Sequence, residues 1–180
     1  VEAEFAHPTG PSVAPDPAEV ARIAAYFAEP AFDAIDAAEA EAALKAARAS
    51  DPDLDAWVAT NTDTHRAPGY AIVTISLKEP GRAPGDASAE QMRLVADLAE
   101  RHAGGEIRVS HEQNLVLPHV RMAGLPALHA ALAEEGLATA NAGLVSDIIA
   151  CPGLDYCALA TARSIPIAQR ISERFAANGK

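Results

Sequence analysis

An α+β fold of the split βαβ type, ferredoxin-like in its element order, is expected from three features between residues 61 and 142. The first is Tyr70-Ala71-Ile72-Val73-Thr74-Ile75-Ser76-Leu77, β-branched and mostly alternating, which reads as a strand. The second is a pair of amphipathic helical patterns, one with Met92, Val95, Leu98 and Ala99 on a single face and one with Leu125, Leu128 and Leu132. The third is a polar hairpin, Ser110-His111-Glu112-Gln113, between short apolar runs at residues 107–109 and 115–117. In chain order these give β-α-β-β-α. Two helices then cover one face of a small antiparallel-rich sheet, and the other face is left for a partner or a cofactor.

Composition narrows what such a domain does. Hydrophobic residues make up 49% of the 180 positions but aromatics only 4%, so the core is built from small and aliphatic side chains. The formal charge is −11, with Lys and Arg scattered, and no basic stripe exists for nucleic acid or an anionic membrane. No apolar run reaches the roughly 18 residues of a membrane span, and no charged-then-apolar leader opens the sequence. Two cysteines, Cys151 and Cys157, stand alone in the chain. A secreted disulfide scaffold uses several spaced pairs, so these two point to thiol chemistry in the cytoplasm.

The first 60 residues read as an inter-domain linker and helical arm. Pro8, Gly10, Pro11 and Pro15 mark a linker, preceded by VEAEFA, which has the composition of a helix without its cap. Asp16-Pro17-Ala18-Glu19 starts a helix whose Val20, Ile23, Ala24 and Phe27 would form one buried face, stopped at Glu29-Pro30. A second, alanine-rich helix is expected over residues 36–49, with a weak apolar face and Asp51-Pro52 closing it. The acidic residues from Asp33 to Glu41 read as a solvated helix face, and Trp57 as packing.

Within 61–142, residues 80–86 form a loop, Ser88 and Gln91 make a capping box, and Gly104-Gly105 and Gly136 stop the two helices. Residues 143–180 approach Cys151-Pro152-Gly153 through an apolar stretch. A helix beginning at Leu154 or Asp155 would hold Cys157 near its first turn, where unpaired N–H groups and the helix dipole favour thiolates. Ser164 is expected to cap a last helix bearing Ile167, Ile171 and Phe175.

A C-x5-C pair on its spacing alone is equally two buried small hydrophobes. Zinc is disfavoured, since C-x2-4-C spacing is usual and no histidine follows at a helpful distance. The Ser110–Asn114 hairpin, with Arg108 before it, reads by composition as a solvated turn or as a group of hydrogen-bonding side chains gathered at a site. His65, His119 and His129 have no partner at ligand spacing and read as surface or packed histidines, and Asp53 and Asp55 suggest no catalytic pair. No nucleophile-elbow, P-loop or dinucleotide-binding glycine pattern is present.

Read together, GEIRVSHEQNLVLPHV at residues 105–120, the amphipathic helix after it, and ACPGLDYCALATARSIP resemble the sirohaem-dependent nitrite/sulfite reductase family. Asn61, His65 and the Pro68-Gly69-Tyr70 strand start add to the resemblance, which runs over residues 61–174. It implies a half domain of that family at 61–142 and the start of the sirohaem/[4Fe–4S] domain at 143–180. Cys151 and Cys157 then match the first two metal ligands of the cluster. Gln113 and Asn114 match the hairpin segment that approaches the sirohaem, and Arg108 could pair with one of its carboxylates. The intact enzyme would reduce sulfite to sulfide or nitrite to ammonia, six electrons each, drawing them from a ferredoxin or a flavoprotein.

The family's second cysteine pair, C-x3-C, and its first ferredoxin-like half are not in these 180 residues, so the resemblance implies an internal piece of a longer reductase. Such a piece alone is expected to be inactive and to hold neither sirohaem nor cluster stably, and its segment after Gly143 is expected to be less ordered than the half domain. A stand-alone ferredoxin-like binding or dimerisation module without a redox cofactor is the alternative. A zinc or redox-thiol protein is a third reading.

Overall fold

The computed structural model describes residues 15–28 and 30–176. The chain divides into two compact units, residues 1–33 and 34–180. In the first, helix α1 (Pro17–Tyr26) begins as its cap dictates: the Asp16 carboxylate accepts from the Ala18 N–H at 2.9 Å, and Pro17 occupies the first turn. The expectation of a buried stripe on this helix is corrected. None of its residues is buried, and Val20, Ile23 and Phe27 are all exposed. The proline-rich opening, the helix read into VEAEFA and Glu29 lie outside the described residues.

The second unit runs α2 (Ala37–Ser50), α3 (Pro52–Asn61), β1 (Thr62–Thr64), β2 (Tyr70–Ile75), α4 (Ala89–His102), β3 (Arg108–Val109), β4 (Leu115–Arg121), α5 (Leu125–Glu134) and α6 (Ile165–Ala176). Short 3₁₀ turns at Met122–Gly124 and Gly153–Asp155 complete it. Asp36 caps α2, and Asp51 closes α2 and caps α3 by accepting from Asp53 and Leu54 N–H. Ser88 and Gln91 form the expected reciprocal box at the start of α4.

The four strands form one antiparallel sheet in the order β1-β2-β4-β3. The crossover from β2 through α4 to β3 skips a place that β4 fills, which is the split βαβ arrangement. Strand β1 was not expected. Its sequence, Thr62-Asp63-Thr64, has no apolar alternation, and it forms because it can pair with β2 from Thr62↔Val73 to Thr64↔Ala71. Strand β4 runs past the expected end at residue 117, through Pro118, to Arg121. Val73 pairs with Leu117 and Ala71 with Val120, so Pro118 and His119 together oppose Ile72. This bulge accommodates a residue without an N–H and brings Val120 back to the inner face.

The core lies between the sheet and its helices. Val73 and Ile75 of β2 and Leu117 and Val120 of β4 meet Leu98 of α4, Leu128 and Leu132 of α5, and Leu54 and Trp57 of α3. All are buried, Trp57 completely, with the His129 ring 5.2 Å from its own. Residues 34–60, read from the sequence as part of an arm, thus contribute core side chains to the unit that holds the sheet. Gly69 at the start of β2 adopts φ +78°, and a Cβ there would lie 2.4 Å from Ile35 Cγ2. Only glycine meets both conditions.

The helix expected to carry Cys157 is replaced by the 3₁₀ turn Gly153–Asp155, which ends before it. The Cys157 N–H still reaches the Gly153 carbonyl at 2.8 Å, but the chain then folds back so that the Leu154 N–H meets the Ala162 carbonyl at 3.0 Å. Leu54→Ala in α3 is expected to lower the unfolding free energy by about 2–5 kcal/mol in urea titration. An unchanged midpoint would mean that α3 is an appendage rather than part of the core.

Candidate functional site

The hairpin between β3 and β4 closes tightly. The Ser110 N–H donates to the Asn114 carbonyl at 2.9 Å, the Gln113 N–H to the Ser110 carbonyl at 3.3 Å, and the Ser110 hydroxyl accepts from the Glu112 N–H at 3.2 Å. Gln113 takes φ +60°, the one non-glycine in the left-handed region among the described residues. That conformation is matched by what its side chain does. Its Nε2 donates to the Ala150 carbonyl and its Oε1 accepts from the Ala150 N–H, both at 3.1 Å. The carboxamide therefore pairs with residue 150 as a neighbouring strand would, one residue before Cys151.

Asn114 is 1% exposed and ties the same two segments together. Its Oδ1 accepts from the Leu77 N–H at 3.2 Å and from Lys78 Nζ at 2.8 Å, while its Nδ2 donates to both Asp147 carboxylate oxygens at 3.0 and 3.2 Å. Lys78 is 2% exposed, and its ammonium also bonds Asp147 Oδ1 at 2.7 Å and the Glu112 carbonyl. Asp147 Oδ2 accepts in addition from the Gly143 N–H at 2.9 Å. Asn141 lies alongside, its Nδ2 donating to the Lys78 carbonyl at 3.1 Å. Segment 143–150 is thus held to the hairpin by buried polar bonds despite having no regular secondary structure.

The cysteines sit on the loop that follows. Neither forms a disulfide; Cys151 is exposed and Cys157 half-buried. The Cys151 carbonyl accepts from the Ser164 hydroxyl, so that hydroxyl fastens the cysteine loop where it had been expected to cap α6. Gly153 at the first corner has φ +59°, and a Cβ would meet the Ala162 carbonyl oxygen and Ser164 Oγ at 2.7 Å. The loop closes on its own backbone and leaves one thiol exposed. Among the described residues no three His, Cys, Asp or Glu side chains converge as a metal cluster. As a donor set, two free thiols on a closed loop suit an iron–sulfur centre and supply half of the four thiolates such a centre takes.

Arg108 does not join this group. Its guanidinium Nε binds Glu106 Oε1 at 2.6 Å, with the arginine side chain 61% exposed. Glu106 continues into a chain of rings: its Oε2 lies 3.3 Å from His119 Nε2, and His119 Nδ1 lies 3.0 Å from His65 Nε2. The Ala67 N–H donates to His65 Nδ1 at 2.9 Å, which places the His65 proton on Nε2, toward His119. These two histidines, read from sequence as unconnected, are partners across the sheet. His129 packs on Trp57, as a packed histidine should.

Sequence reasoning thus singled out Gln113, Asn114, Cys151 and Cys157, which lie on two segments that the Gln113–Ala150 pairing links, together with Arg108, which points into a separate network. It missed Lys78 and Asp147. A lysine ending a strand before Glu-Pro-Gly and an aspartate in a loop both look like surface residues, and nothing in their 69-residue separation announces a pair.

Residues 66–135 match the family described as the nitrite/sulfite reductase ferredoxin-like half domain. The chloroplastic ferredoxin–nitrite reductase of Zea mays is 35% identical over 98 residues, which is 51% of this chain and 17% of the relative. The ferredoxin–nitrite reductase of Synechococcus elongatus is 33% identical over 91 residues, 48% of this chain and 18% of the relative. The chain thus spans less than a fifth of the length of these curated relatives.

Two imidazoles give this unit a pH dependence of definite sign. Burial holds His119 below the ordinary histidine range, its neighbours His65 and Arg108 adding to the effect and Glu106 opposing it. Burial, with Arg101 nearby, does the same to His102. Well above about pH 6.5 both are neutral in folded and unfolded chains alike, and neither costs stability. As pH falls the unfolded chain binds protons first, so stability is lost between there and the lowered folded values. Urea midpoints measured at pH 7.5 and 5.5 are expected to fall with acidification, and less steeply in His119→Gln.

Proposed function

We propose that this chain, which carries a ferredoxin-like half domain of the nitrite/sulfite reductase family, supplies that half domain and two cluster thiolates to a sirohaem-dependent reductase. The observation that carries the reading is the pairing of Gln113 with both backbone groups of Ala150. It fixes the residue before Cys151 to the family-matched hairpin, and a surface turn has no need of such a clamp.

In this reading Cys151 and Cys157 hold the [4Fe–4S] cluster, together with thiolates from elsewhere in the protein. When bound, cluster and sirohaem supply one-electron transfer and the iron at which the oxyanion is reduced. The residues of this chain place them. Gln113 and Asn114 stand at the hairpin that would face the cofactors, with their amide groups spent on aligning the cysteine segment. Arg108, exposed and paired with Glu106, would share its charge with a sirohaem carboxylate. Nitrite as substrate and ferredoxin as donor are the first choice, because both relatives bear those words in their names, and the six-electron reduction to ammonia is what the family resemblance implies. Sulfite and a flavoprotein donor are the corresponding second choices. Two unpaired thiols suit a reducing compartment such as the cytoplasm.

Anaerobic expression of the protein from its complete reading frame tests this. Iron and acid-labile sulfide are expected, with nitrite consumed under reduced ferredoxin. Cys151→Ser and Cys157→Ser are each expected to lower bound iron severalfold and to abolish turnover. The 180-residue chain alone is expected to show no reductase activity. Iron-free wild-type protein that still binds a partner would favour a plain binding module.

A further inference from the structure

We propose that Lys78 and Asp147 are positioning residues for Cys151, a buried ion pair that sets where the cysteine loop stands against the sheet. The inference rests on the reading of Cys151 as a cluster ligand. The observation behind it is how completely the pair is built. Lys78 Nζ donates to the Glu112 carbonyl, Asn114 Oδ1 and Asp147 Oδ1, using the three protons of an ammonium. Asp147 accepts from Lys78 and Asn114 on Oδ1, and from Asn114 and the Gly143 N–H on Oδ2. The two side chains are 1% and 4% exposed.

A buried ion pair is a poor way to gain stability, since removing two charges from water offsets most of their attraction. What the pair adds is direction. It joins the end of β2, the hairpin carbonyl and the loop through bonds of fixed geometry, whereas apolar contacts let surfaces slide. Asp147 lies four residues before Cys151, and three constraints follow in series along that segment. Asp147 is fixed by Lys78 and Asn114, Ala150 by Gln113, and the Cys151 carbonyl by Ser164. The result is an exposed thiol on an immobilised backbone, the state a metal ligand needs and an inert surface cysteine does not.

The protein from its complete reading frame is compared with Asp147→Asn, which strands the Lys78 charge, and with the double variant Lys78→Met/Asp147→Leu, which leaves no charge stranded. The exposed Asp63→Asn serves as control. The readouts are iron per chain, the EPR line shape of the reduced cluster, its reduction potential, and amide hydrogen exchange over residues 143–151. The double variant is expected to fold with a lowered urea midpoint, since the Asn114 amide loses both carboxylate acceptors, to exchange at least tenfold faster over 143–151, and to show an altered EPR line shape and potential or severalfold less iron. Loss of folding in Asp147→Asn leaves the decision to the double variant. A folded double variant with full iron and an unchanged cluster spectrum and potential overturns the positioning role and leaves the cluster reading intact. Wild-type protein without iron overturns the cluster reading, and this inference with it.

Discussion

Strands β2 and β4 pair along the middle of the sheet, and every other part of the larger unit takes its position from that pairing. Their inner residues, Val73 and Ile75 against Leu117 and Val120, present one apolar surface to three helices. β1 and β3 attach to their outer edges. The register matters because side chains alternate between faces, so a slip by one residue would turn the whole apolar set outward. A single bulge at Pro118–His119 adjusts that register once. It keeps Val120 inside and places His119 where it meets His65.

The ends of the same two strands organise the polar half of the molecule. Lys78 follows β2 and Asn114 precedes β4, so the central pairing brings an ammonium and a carboxamide together in a place closed to water. Burial of either one alone would be costly. Asp147 satisfies both, and in doing so fixes a segment that has no helix or strand of its own. Residues 143–151 are therefore tied to the hairpin by side-chain bonds rather than by backbone ladders. The cysteine loop inherits its placement from this arrangement and closes itself with Gly153 and Ser164.

Much of the fold was legible because local rules agreed with tertiary packing. The capping box at Ser88, the Asp-Pro helix start at Asp16, the end of α2 before Asp51-Pro52, the alternation in β2 and the helical stripes of α4 and α5 all appear where residue patterns put them. The misreadings have a common cause. Thr62-Asp63-Thr64 is a strand only because β2 offers an open edge. Leu54 sits in a sequence with little amphipathic character and becomes core only because the sheet needs covering, beside Trp57, whose packing role was legible. The short apolar stripe of α1 is real, yet it is not buried. At the site, Gln113 and Asn114 were visible through the hairpin pattern, whereas Lys78 and Asp147 were not, since long-range pairing leaves no local trace.

The sequence determined the element types, the order that makes a split βαβ sheet, and the chemistry on offer: two thiols and a carboxamide-bearing hairpin. Each of these follows from interactions within a few residues of chain, such as caps, periodicity and turn preferences. Tertiary structure decided which chemistry meets which. It joined the hairpin to residue 150, gave Lys78 and Asp147 to each other, linked His65 to His119 and turned Arg108 toward Glu106. Those outcomes depend on the need to find partners for the polar groups that the packed sheet buries. That condition is imposed by the whole fold and is written in no short stretch of its sequence.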